Sequence, residues 1–217
     1  MYSTGSSSFN AFLHVAVYSP VIPLLIIIFR QLYYNQSFNL LMIYCLMSIF
    51  FSMFGDLVRE DGNLGLVFMN MQYLVEFILL SLLVRSAMND STLKQIVNII
   101  MAIFCTIVIT YAVIRGYDNH LPLMYGTGNA LLLFISLLLS FELIRTEKKN
   151  LSTSYRFWIV AAIFFCYGFN FLVSFGWKFF FTRNTITAQE LWSFSYLASF
   201  LKNVFFSTST LVYKRQS

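Results

Sequence analysis

Apolar residues run along this chain in seven stretches, at about residues 12–29, 38–58, 64–84, 96–114, 122–144, 157–179 and 191–213, separated by short polar segments. At about 1.5 Å of rise per residue, a helix of about 20 residues crosses the roughly 30 Å hydrocarbon layer of a bilayer. The pattern therefore predicts an all-α protein: a seven-transmembrane-helix bundle forming one integral membrane domain over residues 1–217. Pro20 and Pro23 lie inside the first stretch, where neighbouring groups re-satisfy the carbonyls they free, and they predict a kink. Arg59-Glu60-Asp61-Gly62-Asn63 predicts a tight turn, Pro122 suits a first helical turn, and Asn150 to Ser154 carries turn and cap residues. Trp158, Trp177 and Trp192 fall near stretch ends, as an interfacial belt requires. Met1 to Asn10 has no basic n-region and no small-residue cleavage motif, so the first stretch is expected to be a retained helix.

Composition agrees with a lipid-solvated chain: 59% of residues are hydrophobic and only 11% charged, where a water-soluble domain carries about a quarter charged. The formal charge of +5 does not point to nucleic acid, because the basic residues sit at the ends of the stretches. Arg30, Arg85, Lys94, Arg145, Lys148, Lys149, Arg156, Lys214 and Arg215 fall on one side of the alternating loops. Arg59, Arg115, Lys178 and Arg183 fall on the other. The positive-inside rule then puts the N-terminus outside and the C-terminus in the cytoplasm. The basic inner loop Arg145 to Arg156 is the expected meeting place for a cytoplasmic or membrane signalling partner, or for anionic lipid.

The fourteenth basic residue, Lys202, lies in mid-stretch, with about 11 uncharged residues on each side. Its ammonium is too far from either interface to snorkel and must face other helices or water. Glu76 lies 12 residues past Leu64 and Lys202 lies 12 past Glu190, so both are expected roughly 18 Å below the outer surface. Opposite charges at one level should pair, or one should neutralise the other by proton transfer. Such a pair serves either to fix helix register or as part of a proton- or ion-linked site.

Polar residues recur at helical spacing around these two. Gln72 and Tyr73 precede Glu76 by four and three residues and are expected to share its face. Tyr167, Asn170 and Ser174 form a stripe in the sixth stretch, and Ser195, Ser199, Lys202 and Asn203 form one in the seventh. Three stripes facing one another predict a polar core between helices three, six and seven, with ordinary interhelical hydrogen bonding as the alternative.

Other polar groups are expected to be structural. Asp56 reads as interfacial, Glu142 as half of a surface ion pair with Arg145, and His14 as a hydrogen-bonded structural residue. Gly126-Thr127-Gly128-Asn129 offers small residues for close helix approach and, with no Lys-Ser/Thr after it, is not a phosphate loop. Cys45, Cys105 and Cys166 each stand alone in an apolar run, so neither a disulfide nor a metal site is expected. No HExxH, GxSxG or Walker pattern occurs, and no catalytic residues are expected.

Two resemblances follow from these residues. A lysine midway down helix seven and a carboxylate in helix three resemble the arrangement of microbial rhodopsins, which implies retinal bound to Lys202. The chain departs from that pattern at Ala198, where an aspartate is usual, and at Tyr73 and Glu76, which replace an Asp/Thr pattern. Pro20-Val21-Ile22-Pro23-Leu24, Tyr73 to Ser81, Phe157-Trp158-Ile159 and Lys202-Asn203-Val204-Phe205 resemble a group of small multi-pass membrane proteins of Bacteroidota-type bacteria. That resemblance implies a bacterial inner membrane and lends no activity. Tyr73 to Phe77 also parallels Tyr196 to Phe200, as in small transporters built from repeats. The expected function is a receptor-like or signalling membrane module, with a small-solute or proton-linked ion transporter using Glu76 and Lys202 as the alternative.

Overall fold

Prolines, caps and glycine divide the chain into helices. The structure, a computed structural model, describes residues 7–58, 62–116, 122–146, 150–182 and 188–214. Among them lie α1 (Ser7–Tyr18), α2 (Val21–Phe29), α3 (Gln36–Val58), α4 (Gly62–Ala87), α5 (Ser91–Arg115), α6 (Pro122–Thr146), α7 (Tyr155–Thr182) and α8 (Ala188–Val212), and no strand.

Pro20 separates α1 from α2, which meet at a 40° bend. Lacking an N–H, Pro20 leaves the Ala16 carbonyl without its helical donor, and the Ser19 hydroxyl donates to it instead at 2.6 Å. Asn35 caps α3 by accepting from the Ser37 N–H at 2.9 Å, and Asp90 caps α5 by accepting from Thr92 and Leu93. Gly116, at φ 87°, closes α5 in a backbone conformation that side chains other than glycine rarely adopt.

Five of these helices, α3 to α7, are long and apolar enough to cross a membrane, and six segments qualify if the bent pair α1–α2 is one span. Side chains such as Ile99, Ile103 and Ile107 on α5 and Leu46, Phe50 and Met53 on α3 point outward, which suits a multi-pass protein embedded in lipid. α8 is less apolar, because it carries Lys202, Asn203 and the run Ser207 to Thr210. It also has the least need to be, since it lies against α1, α2 and α7 and buries Lys202, Asn203, Phe206, Ser209 and Thr210. α4 touches α3, α5, α6 and α7, so the two helices with charged residues at mid-length both run through the interior.

The far end of α8 is fixed by local chemistry. The Arg30 guanidinium donates to the carbonyls of Thr210, Leu211 and Tyr213, the acceptors that a helix end leaves without partners. Tyr213 then packs edge-on against Phe38 and Tyr155, with ring centroids at 4.9 and 5.2 Å.

Glu142 corrects the sequence reading. It is buried at 6% exposure and pairs with Arg156, not Arg145, while its Oε1 accepts from the Asn89 N–H at 2.8 Å. Short loops explain the choice: the α4–α5 connection and the start of α7 both come back to the end of α6, and Arg145 on the outer face stays exposed. Arg156 is thus spent inside the fold and is not available to a partner of the basic loop; Lys148 and Lys149 lie outside the described residues. The predicted turn at Arg59 to Asp61 lies outside them too, as do the side chains of Asp56, Trp177 and Trp192. His14 is exposed.

Candidate functional site

Four helices each send one polar side chain to a common point. Lys202 on α8 puts its Nζ 2.8 Å from Oε1 of Glu76 on α4. The same oxygen accepts from the Tyr167 hydroxyl on α7 at 2.6 Å and from the Tyr44 hydroxyl on α3 at 3.0 Å. Lys202 Nζ lies 5.2 and 5.3 Å from the ring centres of Tyr44 and Tyr167, so the two phenols flank the ammonium with their faces while their hydroxyls hold its counter-ion. Tyr44 is oriented by an edge-to-face contact with Phe206 at 5.8 Å.

The two charges are not equally enclosed. The Lys202 side chain is 5% exposed and the Glu76 side chain 23%. Oε1 takes all three donors, and none of these bonds uses Oε2. Glu76 instead borders a small opening between α3 and α4, with room for about one water molecule, lined by Tyr44, Met47, Ser48, Phe51, Gln72, Val75 and Leu79. The lining residues fall at intervals of three and four on each helix, so the opening is the seam between two facing stripes. Chemically, the arrangement is a neutralised ion pair in a low-dielectric interior, with one carboxylate oxygen open to a small visitor.

Of the residues singled out in the sequence, Glu76, Lys202, Tyr167 and Gln72 come together here. Tyr73 does not. One residue from Gln72 is a turn of about 100° around a helix, and Tyr73 points to α6, its hydroxyl 2.9 Å from Asn129 Oδ1 and 3.0 Å from the Tyr125 carbonyl. Tyr125 in turn donates to Asn70 Oδ1 at 3.1 Å, giving a second polar network between α4 and α6. Gly128 makes room for it: a Cβ there would stand 2.5 Å from the Tyr73 hydroxyl.

The α7 stripe also divides. Tyr167 is buried in the centre, whereas the Asn170 amide, among the described residues, donates to the Cys166 sulfur at 3.7 Å. Ser174 is exposed and bonds back to the Asn170 carbonyl at 2.7 Å, satisfied by its own helix. On α8, Ser199 is half-buried and its carbonyl accepts from Asn203. Asn203 turns away from Lys202 and donates to Ser19 Oγ at 2.7 Å, so it braces the α1–α2 break and takes no part in the Glu76 centre. The polar core is therefore two-sided, and it also draws on α3.

Tyr44 is the member that sequence reasoning missed. A signal was present: it is the only tyrosine among residues 38–58, and a phenol inside an apolar helix needs an acceptor.

The Lys202 ammonium is buried, with Glu76, Tyr44 and Tyr167 around it. Where the rhodopsin resemblance implies retinal on Lys202, its nitrogen is paired with Glu76 and flanked by the rings of Tyr44 and Tyr167. The chain matches no family model, no curated protein and no solved structure.

Proposed function

We propose that the chain is a receptor-like signalling module of seven membrane-crossing segments, in which the Glu76–Lys202 centre holds one helix arrangement and yields when Glu76 is engaged. In this reading α8 is the seventh crossing, the N-terminus lies outside, the C-terminus lies in the cytoplasm, and the membrane is a bacterial inner membrane. The observation that carries it is the asymmetry of the pair. Lys202 is sealed, while Glu76 borders an opening and is shared by side chains from α3, α7 and α8. A visitor that alters the charge or bonding of one carboxylate thereby alters contacts among four helices at once, as a two-state element requires.

The test is a distance measurement between spin labels at Leu46→Cys on α3 and Leu211→Cys on α8, both exposed positions, in a background with the partly exposed Cys105 replaced. Glu76→Gln is expected to add a second distance to the single one of the parent. An unchanged distribution would overturn the switch.

One observation favours a second reading, a proton-linked transporter of ions or small solutes. The α1–α2 helix is broken at Ser19, and Asn203, next in sequence to Lys202, bonds to the break. Discontinuous helices beside a polar centre are a recurring feature of transporter sites. Flux in liposomes holding this chain alone, lost in Glu76→Gln, would select that reading.

A further inference from the structure

The opening beside Glu76 has the volume of about one water molecule, and its polar borders suit one. With Oε1 already taking three donors, Glu76 offers Oε2. Ser48 and Gln72 line the same space, and neither side chain has a hydrogen-bond partner among the described residues. A water placed there donates to Oε2 and finds in the Ser48 hydroxyl and the Gln72 amide groups that both donate and accept. That gives it the several polar partners a water needs to be held in an apolar wall.

Size and charge exclude most other occupants. An organic ligand or a hydrated metal ion exceeds one water in volume. A bare metal cation would face the Lys202 ammonium across the carboxylate, 2.8 Å from Oε1. A proton is different, because water carries it and it needs no space of its own.

The groups around Glu76 leave that proton one destination. Tyr44 and Cys45 approach the pair from α3, Cys166 and Tyr167 from α7, and Lys202 from α8, with Tyr73 three residues away on α4 itself. The charged residues of α5 and α6 (Lys94, Arg115, Glu142 and Arg145) lie toward helix ends. Phenols and thiols are neutral near pH 7 and Lys202 is already a cation, so the carboxylate is the base.

We infer that the α3–α4 opening is the proton entry of the Glu76 centre, where one water held by Glu76 Oε2, Ser48 and Gln72 delivers a proton to Oε2. A hydronium in that place gives up one proton and is left as water. The carboxylate becomes a neutral acid, Lys202 keeps its own proton, and the charge of the pair goes from zero to +1. Lys202 is then a buried cation without a counter-ion, the condition that favours another helix arrangement. The inference rests on the signalling reading above and names its ligand as the proton.

The experiment follows the full chain in detergent by rapid-mixing infrared spectroscopy after a downward pH jump. The readout is the rate at which the acid carbonyl band that Glu76→Gln removes grows in. Ser48→Leu and Val75→Phe fill the opening from α3 and from α4, and the second serves if the first fails to fold. Both should form the band to its full final height. With the opening blocked, the proton must wait for rarer local separation of the helices, so the rate should fall about tenfold or more. Phe164→Leu, at an exposed position on α7, should keep the parent rate. Parent rates in both filled variants would mean that the proton reaches Glu76 by another path and would overturn the entry. An equal slowing in Phe164→Leu would overturn it as well. No acid band at any pH at which the chain stays folded would overturn the proton as ligand, while the spin-label distances of Glu76→Gln test the switch without it.

Discussion

Glu76 on α4 and Lys202 on α8, 126 residues apart in the chain, meet at 2.8 Å in the interior of the bundle, and Tyr167 and Tyr44 donate to the same carboxylate oxygen. Removing one partner of such a pair leaves a buried charge without compensation, which typically costs about 3–5 kcal/mol, whereas replacing both can be neutral. Glu76→Gln and Lys202→Met should therefore each lower the unfolding free energy by about that much. The double variant should recover most of the loss. A thermodynamic cycle in detergent checks the coupling, and additive losses would mean that the two groups do not act as a pair.

The tyrosines should contribute unequally. Tyr167 donates at 2.6 Å and Tyr44 at 3.0 Å, both to an oxygen that bears charge, and a hydrogen bond to a charged group is worth about 1.5–3 kcal/mol. Phenylalanine keeps the ring face beside Lys202 and removes only the hydroxyl. Tyr167→Phe is expected at the upper end of that range and Tyr44→Phe at the lower. Denaturant unfolding of both variants checks the order, and equal losses would contradict it.

The all-helical architecture, the long apolar helices and the contact of Glu76 with Lys202 were legible in the sequence for physical reasons. Long apolar runs have few other stable solutions, and counting residues from the outer ends of two helices placed Glu76 and Lys202 at one depth. The azimuth of each side chain was not legible. Tyr73 and Gln72 are neighbours in sequence, yet one bonds to α6 and the other lines the α3–α4 opening, because helix rotation is set by packing partners that spacing does not name. Partner choice was hidden for the same reason. Arg145 is the nearer arginine to Glu142 in sequence, and the start of α7 brings in Arg156 instead. Tyr44 was overlooked because its acceptor is on another helix.

Gly128 permits the second network, and its substitution should be costly. A Cβ there would lie 2.5 Å from the Tyr73 hydroxyl and 3.0 Å from Phe104 Cζ. The hydroxyl has little freedom to retreat, being held by Asn129 and the Tyr125 carbonyl. Gly128→Ala is expected to destabilise by about 1–3 kcal/mol, the usual cost of overpacking. Adding Tyr73→Phe removes the nearest atom but leaves the Phe104 contact and a ring carbon at 3.0 Å, so rescue should be partial. Melting temperatures of the three variants check this, and an unaffected Gly128→Ala would mean that the helices separate freely at this point.

Glu142 and Arg156 join three parts of the chain that are apart in sequence: the end of α6, the start of α7 and the α4–α5 turn at Asn89. Both are buried, at 6% and 7% exposure, so neither charge has water to fall back on. Glu142→Ala removes the ion pair and the acceptor of the Asn89 N–H together and should cost about 3–5 kcal/mol or more. Glu142→Gln keeps a carbonyl oxygen for Asn89 and should cost less. Hydrogen exchange separates the two roles. The Asn89 amide should lose protection strongly in Glu142→Ala and only partly in Glu142→Gln. Equal loss in both variants would mean that the turn is held by the charge of the pair and not by the hydrogen bond.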